Sequence, residues 1–188
     1  MIKKPKPRIR RVAQLPGRTI LLREVQEADA AFILSLRLDP RKNRYLSPVV
    51  DDVDRQREWI RGYLRSDEQA YFIICSQDDG EPLGTVRLYD AIGDSFSWGS
   101  WILKDGAPPS AAVESAVLVY SLGLHWGFRH AHFQVHQGNS SVLAFHERFG
   151  ARRTAETEEE VHLAIDEPAI RRSLERYAAF LPDHLALE

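Results

Sequence analysis

Only one of the 188 residues is a cysteine, Cys75, so no intramolecular disulfide can form. It lies in the apolar run Tyr71 to Cys75, where a buried free thiol is the ordinary reading. Long hydrophobic runs are missing too. Nothing approaches the roughly 20 uninterrupted apolar residues of a membrane helix, and the charged N-terminal start lacks the apolar segment of a secretory signal. A cytoplasmic location with no membrane partner is therefore expected. An excess of basic charge is also lacking. The formal net charge is −2, and six of the 25 basic residues (Lys3, Lys4, Lys6, Arg8, Arg10 and Arg11) fall within the first 11 positions, where there is no acidic one. The remainder is acidic, 19 basic against 27 acidic residues, which argues against a nucleic-acid partner. Residues 1–18, broken by Pro5 and Pro7, read as a solvated basic tail. There is no internal repeat and no low-complexity segment. A hydrophobic content of 44% suffices for one core, assigned to residues 19–166, with residues 167–188 as an appended amphipathic helix.

The elements follow from period and punctuation. After the Pro16-Gly17 turn signal, Thr19 to Val25 is strand-like, and Glu27 to Leu38 carries apolar residues at helical spacing until Pro40. A polar loop, Asp39 to Val50, leads to Asp51 and Asp52, either of which can cap a second helix ending near Arg65. Tyr71 to Ser76 and Leu83 to Tyr89 flank Asp78-Asp79-Gly80 and predict an antiparallel hairpin, which Ser95 to Leu103 extends. A long helix from about Ser110 to Gly127, a strand from Ala131 to His136 and a short helix from Asn139 to Phe149 then form a right-handed β-α-β crossover. Arg152 to Ala155 and Glu160 to Ile165 suggest a closing hairpin. In the final helix, Pro168 to Phe180, Ile170, Leu174, Tyr177 and Leu181 share one face, which must meet the body or a second copy of the chain.

This order resembles the GNAT superfamily of N-acetyltransferases from Thr19 to Ile165, most clearly over Gly127 to Ala151. There Val135, Asn139, Val142, Phe145, His146-Glu147 and Phe149-Gly150-Ala151 follow the pattern V-x-x-x-N-x-x-A-x-x-L-Y-E-x-x-G-F. The resemblance implies an α/β fold with a mixed, mostly antiparallel sheet of six to seven strands, a central β-α-β crossover and flanking helices. It also implies acetyl-CoA as co-substrate and a small-molecule amine as acceptor. The stretch Gly99 to Ala112, with Phe-His-Glu-Arg-Phe-Gly-Ala further on, is similar to a GNAT subgroup associated with bacterial surface-polysaccharide and amino-sugar gene clusters. That likeness suggests an amino-sugar nucleotide as acceptor; a protein N-terminus, an antibiotic amine, or acyl-CoA binding without turnover are the alternatives.

Acyl transfer from a thioester to an amine needs a neutral amine near the carbonyl, a donor for the developing oxyanion and an acid for the departing thiolate. By resemblance, His146 stands where the family usually carries the tyrosine acid, and an ordinary imidazole pKa near 6.5 would suit the task; its plainer reading is a surface helix histidine. Asn139 is expected to contact coenzyme A, to cap its helix, or both. Ile102, Leu103, Lys104, Gly106, Ser110, Ala111, Ala112 and Phe145 complete the expected cofactor contacts. The loop from Lys104 to Ala112 departs from the family's Q/R-x-x-G-x-G/A because Pro108 and Pro109 remove two donors. The amides of Ser110, Ala111, Ala112 and Val113, the helix dipole and the Lys104 charge still suit a pyrophosphate. His132, Gln134 and His136 alternate onto one face of their strand as a polar cleft wall, with no metal expected. Gln134 occupies a position that often holds a glutamate base, so His136, His132, Asp90 or water must take that role. The loop Arg41 to Ser47, with Asn43, Arg44 and Tyr45, would supply aromatic and basic groups suited to a sugar nucleotide; Asn43, Arg44 and Gln134 are the expected acceptor contacts, whereas Trp59 and Tyr63 read as core anchors.

Overall fold

The run Ala70–Ser76 is apolar at nearly every position because both of its faces are covered, as the computed structural model, which describes residues 6–187, makes plain. Phe72 and Ile74 enter one core cluster and Tyr71, Ile73 and Cys75 another. Among the described residues eight strands form one sheet: β1 (Gln14–Pro16), β2 (Ile20–Glu24), β3 (Ala70–Ser76), β4 (Pro82–Ile92), β5 (Ser95–Leu103), β6 (His130–His136), β7 (Arg152–Glu156) and β8 (Glu160–Asp166), in the order β1-β2-β3-β4-β5-β6-β8-β7. All pairs are antiparallel except β5 with β6. The helices are α1 (Ala30–Leu38), α2 (Val53–Leu64), α3 (Ser110–His125), α4 (Ser140–Arg148) and α5 (Glu167–Arg176). Residues of α1 and α2 pack on one face of the sheet, and those of α3, α4 and α5 join the larger core on the other.

Local chemistry sets the boundaries. The Asp52 carboxylate accepts from the amides of Asp54 and Arg55 and opens α2. Asp166 does the same for α5 through the amide of Ala169 at 2.9 Å. On α5, Ile170 is buried and Leu174, Tyr177 and Leu181 pack against the core, so this face meets the body of its own chain. Cys75 is buried, and burial pushes its thiol above the usual range. No helix among the described residues is long and apolar enough to cross a membrane.

The sheet has one strand more than the expected six to seven, and the addition comes from the segment assigned to a solvated tail. Leu15 is completely buried and Ile9 nearly so, while Gln14 to Pro16 pairs with Leu21 to Arg23. Ile9 stands alone between Arg8 and Arg10, and Leu15 between Gln14 and Pro16, so periodicity does not reveal them. Residues 1–5, including Lys3, Lys4 and Pro5, lie outside the described residues.

A second feature missed by pattern is Glu114 on α3, only 1% exposed. One carboxylate oxygen accepts from the amides of Arg18, Thr19 and Ile20, at 2.5, 2.7 and 3.1 Å, and the other accepts from the Thr19 hydroxyl at 2.6 Å. It pins the start of β2 to the central helix; without it, buried donors would each cost about 1–3 kcal/mol. The contact also explains Gly17, where a Cβ would stand 2.5 Å from that carboxylate.

Candidate active site

The two strands that flank the crossover part company. β5 and β6 pair only at Ser95 with His130 and Phe96 with Ala131, then run on to Leu103 and His136 without further pairing. The opening is a cleft of about 530 Å³ lined by Trp98 to Ile102 of β5, Phe133 to His136 of β6, and Asn139, Val142 and His146 from the start and body of α4. The rest of the lining comes from Arg37, Tyr45 to Ser47, Trp59, Arg87 and Tyr89, with Glu160 of β8 beside His136. At the mouth, β5 bulges: Thr85 pairs with Ile102 and Arg87 with Gly99, leaving an extra residue on β5. Ser100 there has a φ of 46°, a costly conformation for a residue with a Cβ. Its carbonyl accepts from the Thr85 hydroxyl at 2.6 Å. Such strain is held where a backbone group must be re-aimed, here at the cleft.

His146 is not on the surface. It is 4% exposed, stacked on Phe133 with ring centres 4.1 Å apart and edge-on to Trp98 at 5.1 Å. Burial lowers its pKa to about 4, so the expected value near 6.5 does not hold and the ring is neutral at pH 7. An imidazolium acid is therefore not available from this side chain; a neutral N–H donor is. Its Nδ1 is buried with no hydrogen-bond partner among the described residues.

The row on β6 is divided by its partners. His132 lies between the Ser95 hydroxyl, 2.7 Å from Nδ1, and Asp90, 3.1 Å from Nε2. A carboxylate only accepts, so Nε2 carries hydrogen and neither nitrogen is open to an incoming amine. His136 accepts from the Gly138 amide through Nδ1 at 3.0 Å, which leaves the proton of the neutral ring on Nε2. Gln134 lines the cleft between them. Among the described residues, Glu160 is the one carboxylate on the cleft wall, cross-strand from His136. A strand register this far from the recognised motif gave no signal for it.

The loop Arg41 to Ser47 reaches the cleft through only part of its expected residues. Asn43 opens a single 3-10 turn, accepting from the amide of Leu46, and Arg44 lies exposed with its guanidinium 5.4 Å from the Tyr45 ring centre. Neither lines the cleft; Tyr45, Leu46 and Ser47 do. The Tyr45 ring lies 4.9 Å from that of His136 and so close to Gly138 that a Cβ there would be 2.8 Å from it. Tyr63 is buried, as a core anchor should be, but Trp59 is 42% exposed and faces the cleft.

Of the expected cofactor residues, Ile102 and Asn139 line the cleft. Asn139 makes no side-chain cap; its backbone accepts from Leu143 and donates to His136. Phe145 is buried against Trp101, ring centres 4.7 Å apart, behind the cleft wall. Leu103 ends β5 opposite Gly84. The loop beyond it differs from expectation in two ways. The Lys104 ammonium is paired with Glu81 and so is not a free charge, and the Ala111 amide donates to the Pro108 carbonyl at 2.9 Å. Pro109 itself adopts helical angles, so the prolines tighten the start of α3 and turn one of the four expected amides inward. Gly106, with a φ of 81°, makes the turn, and Ser110 and Ala112 flank the engaged amide. Asp105 in this loop holds Arg41 at 2.5 Å and Lys42 at 2.7 Å, tying the loop before α3 to the loop that follows α1. Among the described residues no three histidine, cysteine, aspartate or glutamate side chains gather into a metal-binding cluster.

Comparison with known proteins agrees with this geometry. A family model described as Acetyltransferase (GNAT) domain matches residues 19–152. The solved structure of apo FdhC, described as a nucleotide-linked sugar GNAT, is 41% identical, covers 90% of this chain and 98% of its own, and superposes with a TM-score of 0.82. A probable acetyltransferase from Chromobacterium violaceum, 14% identical over 90% of this chain and 93% of its own, has a TM-score of 0.76. A GCN5-related N-acetyltransferase from Brucella melitensis, 15% identical over 97% and 91%, has a TM-score of 0.78. These two share the fold. No curated protein matches the chain. With the family matched over well beyond half its length and the expected β-α-β crossover in place, the chain belongs to the GNAT acetyltransferases and is an acyltransferase enzyme.

Proposed function

We propose that the protein transfers an acetyl group from acetyl-CoA to the amino group of a nucleotide-linked sugar. The observation that carries this reading is the parting of β5 from β6, which opens one cleft to both faces of the sheet, so that donor and acceptor can approach each other from opposite sides. On the α3 side, Ile102, Leu103 and the amides of Ser110 and Ala112 would hold the donor, with the positive end of the α3 dipole toward its pyrophosphate. On the other side, Tyr45, Gln134, His136 and Glu160 would surround the amine. The likeness to a nucleotide-linked sugar GNAT at 41% identity supports the acceptor class.

In this scheme the neutral amine nitrogen forms its bond to the thioester carbonyl carbon, and Glu160 accepts the proton that the nitrogen sheds as its positive charge develops. Collapse of the tetrahedral species breaks the carbon–sulfur bond. The developing thiolate is met by a hydrogen bond from neutral His146, departs as the thiolate, and then takes up by way of solvent the proton that Glu160 accepted. The products are the N-acetylated sugar nucleotide and free coenzyme A.

Calorimetry with acetyl-CoA tests the donor half. One molecule is expected to bind per chain, with no acceptor present. An absence of binding at millimolar acetyl-CoA would overturn the reading.

A further inference from the structure

Arg37 on α1 and Arg87 on β4 line a cavity of about 320 Å³ that shares Arg37, Ser47, Trp59, Arg87 and Ser100 with the reaction cleft. Among the described residues, neither guanidinium has a carboxylate partner within salt-bridge distance. Arg37 donates only to the carbonyl and hydroxyl of Ser47, at 2.9 and 3.1 Å, and its Nε is buried without a partner. The Nε of Arg87 is likewise buried and unpartnered, while its guanidinium carbon lies 5.5 Å from the Trp59 ring centre and 4.5 Å from that of Tyr89. Burial, and to a lesser degree the like charge of Arg37, lowers the pKa of Arg87 without neutralising it. Arg55 adds a third positive charge at the rim. Among the described residues, the one carboxylate lining this cavity, Asp52, is taken up by the amides that it caps.

Two half-buried guanidiniums side by side, with donors unused, are costly in an empty protein. They make sense where the compensating charge arrives with a ligand, and phosphate oxygens fit the guanidinium fork. The cavity also has an apolar side. Val50 and Trp59, two of three large hydrophobic residues left exposed among the described residues, both border it. We infer that Arg37, Arg87 and Arg55 bind the diphosphate of a nucleoside-diphosphate acceptor, with Val50 and Trp59 as the wall on which its nucleoside lies. This assignment rests on the acceptor class proposed above and locates the handle by which the sugar is presented to Glu160.

The test is calorimetry with uridine diphosphate, thymidine diphosphate and inorganic pyrophosphate, in the presence of saturating acetyl-CoA. At least one nucleoside diphosphate is expected to bind the wild type. Arg87→Met and Arg37→Met should each raise its Kd at least about tenfold, close to 1.4 kcal/mol, with acetyl-CoA affinity unchanged as the control for folding. Arg87→Lys, which keeps a charge and the stem, should lose less. Trp59→Ala should weaken the nucleoside diphosphates more than pyrophosphate. No nucleoside-diphosphate binding, or binding indifferent to both arginines, would overturn the assignment. So would displacement of acetyl-CoA by the nucleotide, because the phosphates held would then be the donor's. Turnover of a nucleotide-linked amino sugar with KM unaffected by Arg87→Met would remove the subsite and leave the proposed activity standing. Arginine-dependent nucleotide binding without acetylation of any such sugar would keep the subsite and remove the activity.

Discussion

Glu160→Gln is expected to lower kcat/KM for the acceptor by roughly 10²- to 10⁴-fold, the range typical of losing a general base, while acetyl-CoA affinity and fold are retained. The expectation comes from elimination on the cleft wall. Gln134 cannot take a proton, His132 is held at both nitrogens by Ser95 and Asp90, and the free nitrogen of neutral His136 already carries hydrogen because Gly138 donates to the other. Glu160 lies across the strand pair from His136 and lines the same cleft. Glutamine preserves size and one acceptor oxygen, so a large loss would belong to proton transfer and not to packing. Steady-state thiol release measures it. A variant within a factor of about three of wild type would assign the proton to solvent and contradict the role given to Glu160.

His146→Phe should produce a double signature. Loss of one hydrogen-bond donor to developing charge typically costs about 10²- to 10³-fold in kcat, and acetyl-CoA affinity should be nearly unchanged; His146→Tyr should recover part of the rate by restoring a donor. The second signature is in stability. The folded pKa of His146 is about 4 against 6.5 for the free side chain. Between those values the unfolded chain binds a proton that the native one refuses, so the benefit of a neutral buried ring is full above pH 6.5 and is lost as pH falls through about 4. At roughly 1.4 kcal/mol per pKa unit this is of the order of 3 kcal/mol, or a fall in Tm of several degrees for a domain of this size. Wild type minus His146→Phe in a thermal melt series across that window isolates this effect from the other histidines. Parallel Tm curves for the two proteins would mean that His146 is solvated and titrates normally, against the packing around Phe133 and Trp98.

The crossover, the hairpins and the closing pair β7–β8 were legible because each rests on contiguous signals: a period change, a glycine turn, a helix stop. What escaped was decided by residues distant in the chain. The burial of His146 is set by Trp98 and Phe133, contributed by two other strands, so its matched position in the motif says nothing about its pKa. Glu114 looks like any helical carboxylate until the start of β2 folds onto it. β1 is too short for alternation to show. The loop Arg41 to Ser47 is visible in the sequence, yet the 3-10 turn at Asn43–Tyr45 sends Tyr45, and not Arg44, into the cleft. Arg37 and Arg87 gain meaning only when α1 is laid against β4, since a lone arginine in a helix or strand ordinarily finds a carboxylate or solvent.

Incubation of the protein with acetyl-CoA and a panel of nucleotide-linked amino sugars, with free thiol and sugar-nucleotide mass followed in the same reaction, reaches the claim on which the rest depends. For at least one member of the panel, thiol should appear in step with a sugar nucleotide heavier by one acetyl group on its nitrogen, and omission of the sugar should stop both. Thiol release without an acetylated product, or no release with any member while a simple amine is acetylated, would contradict it.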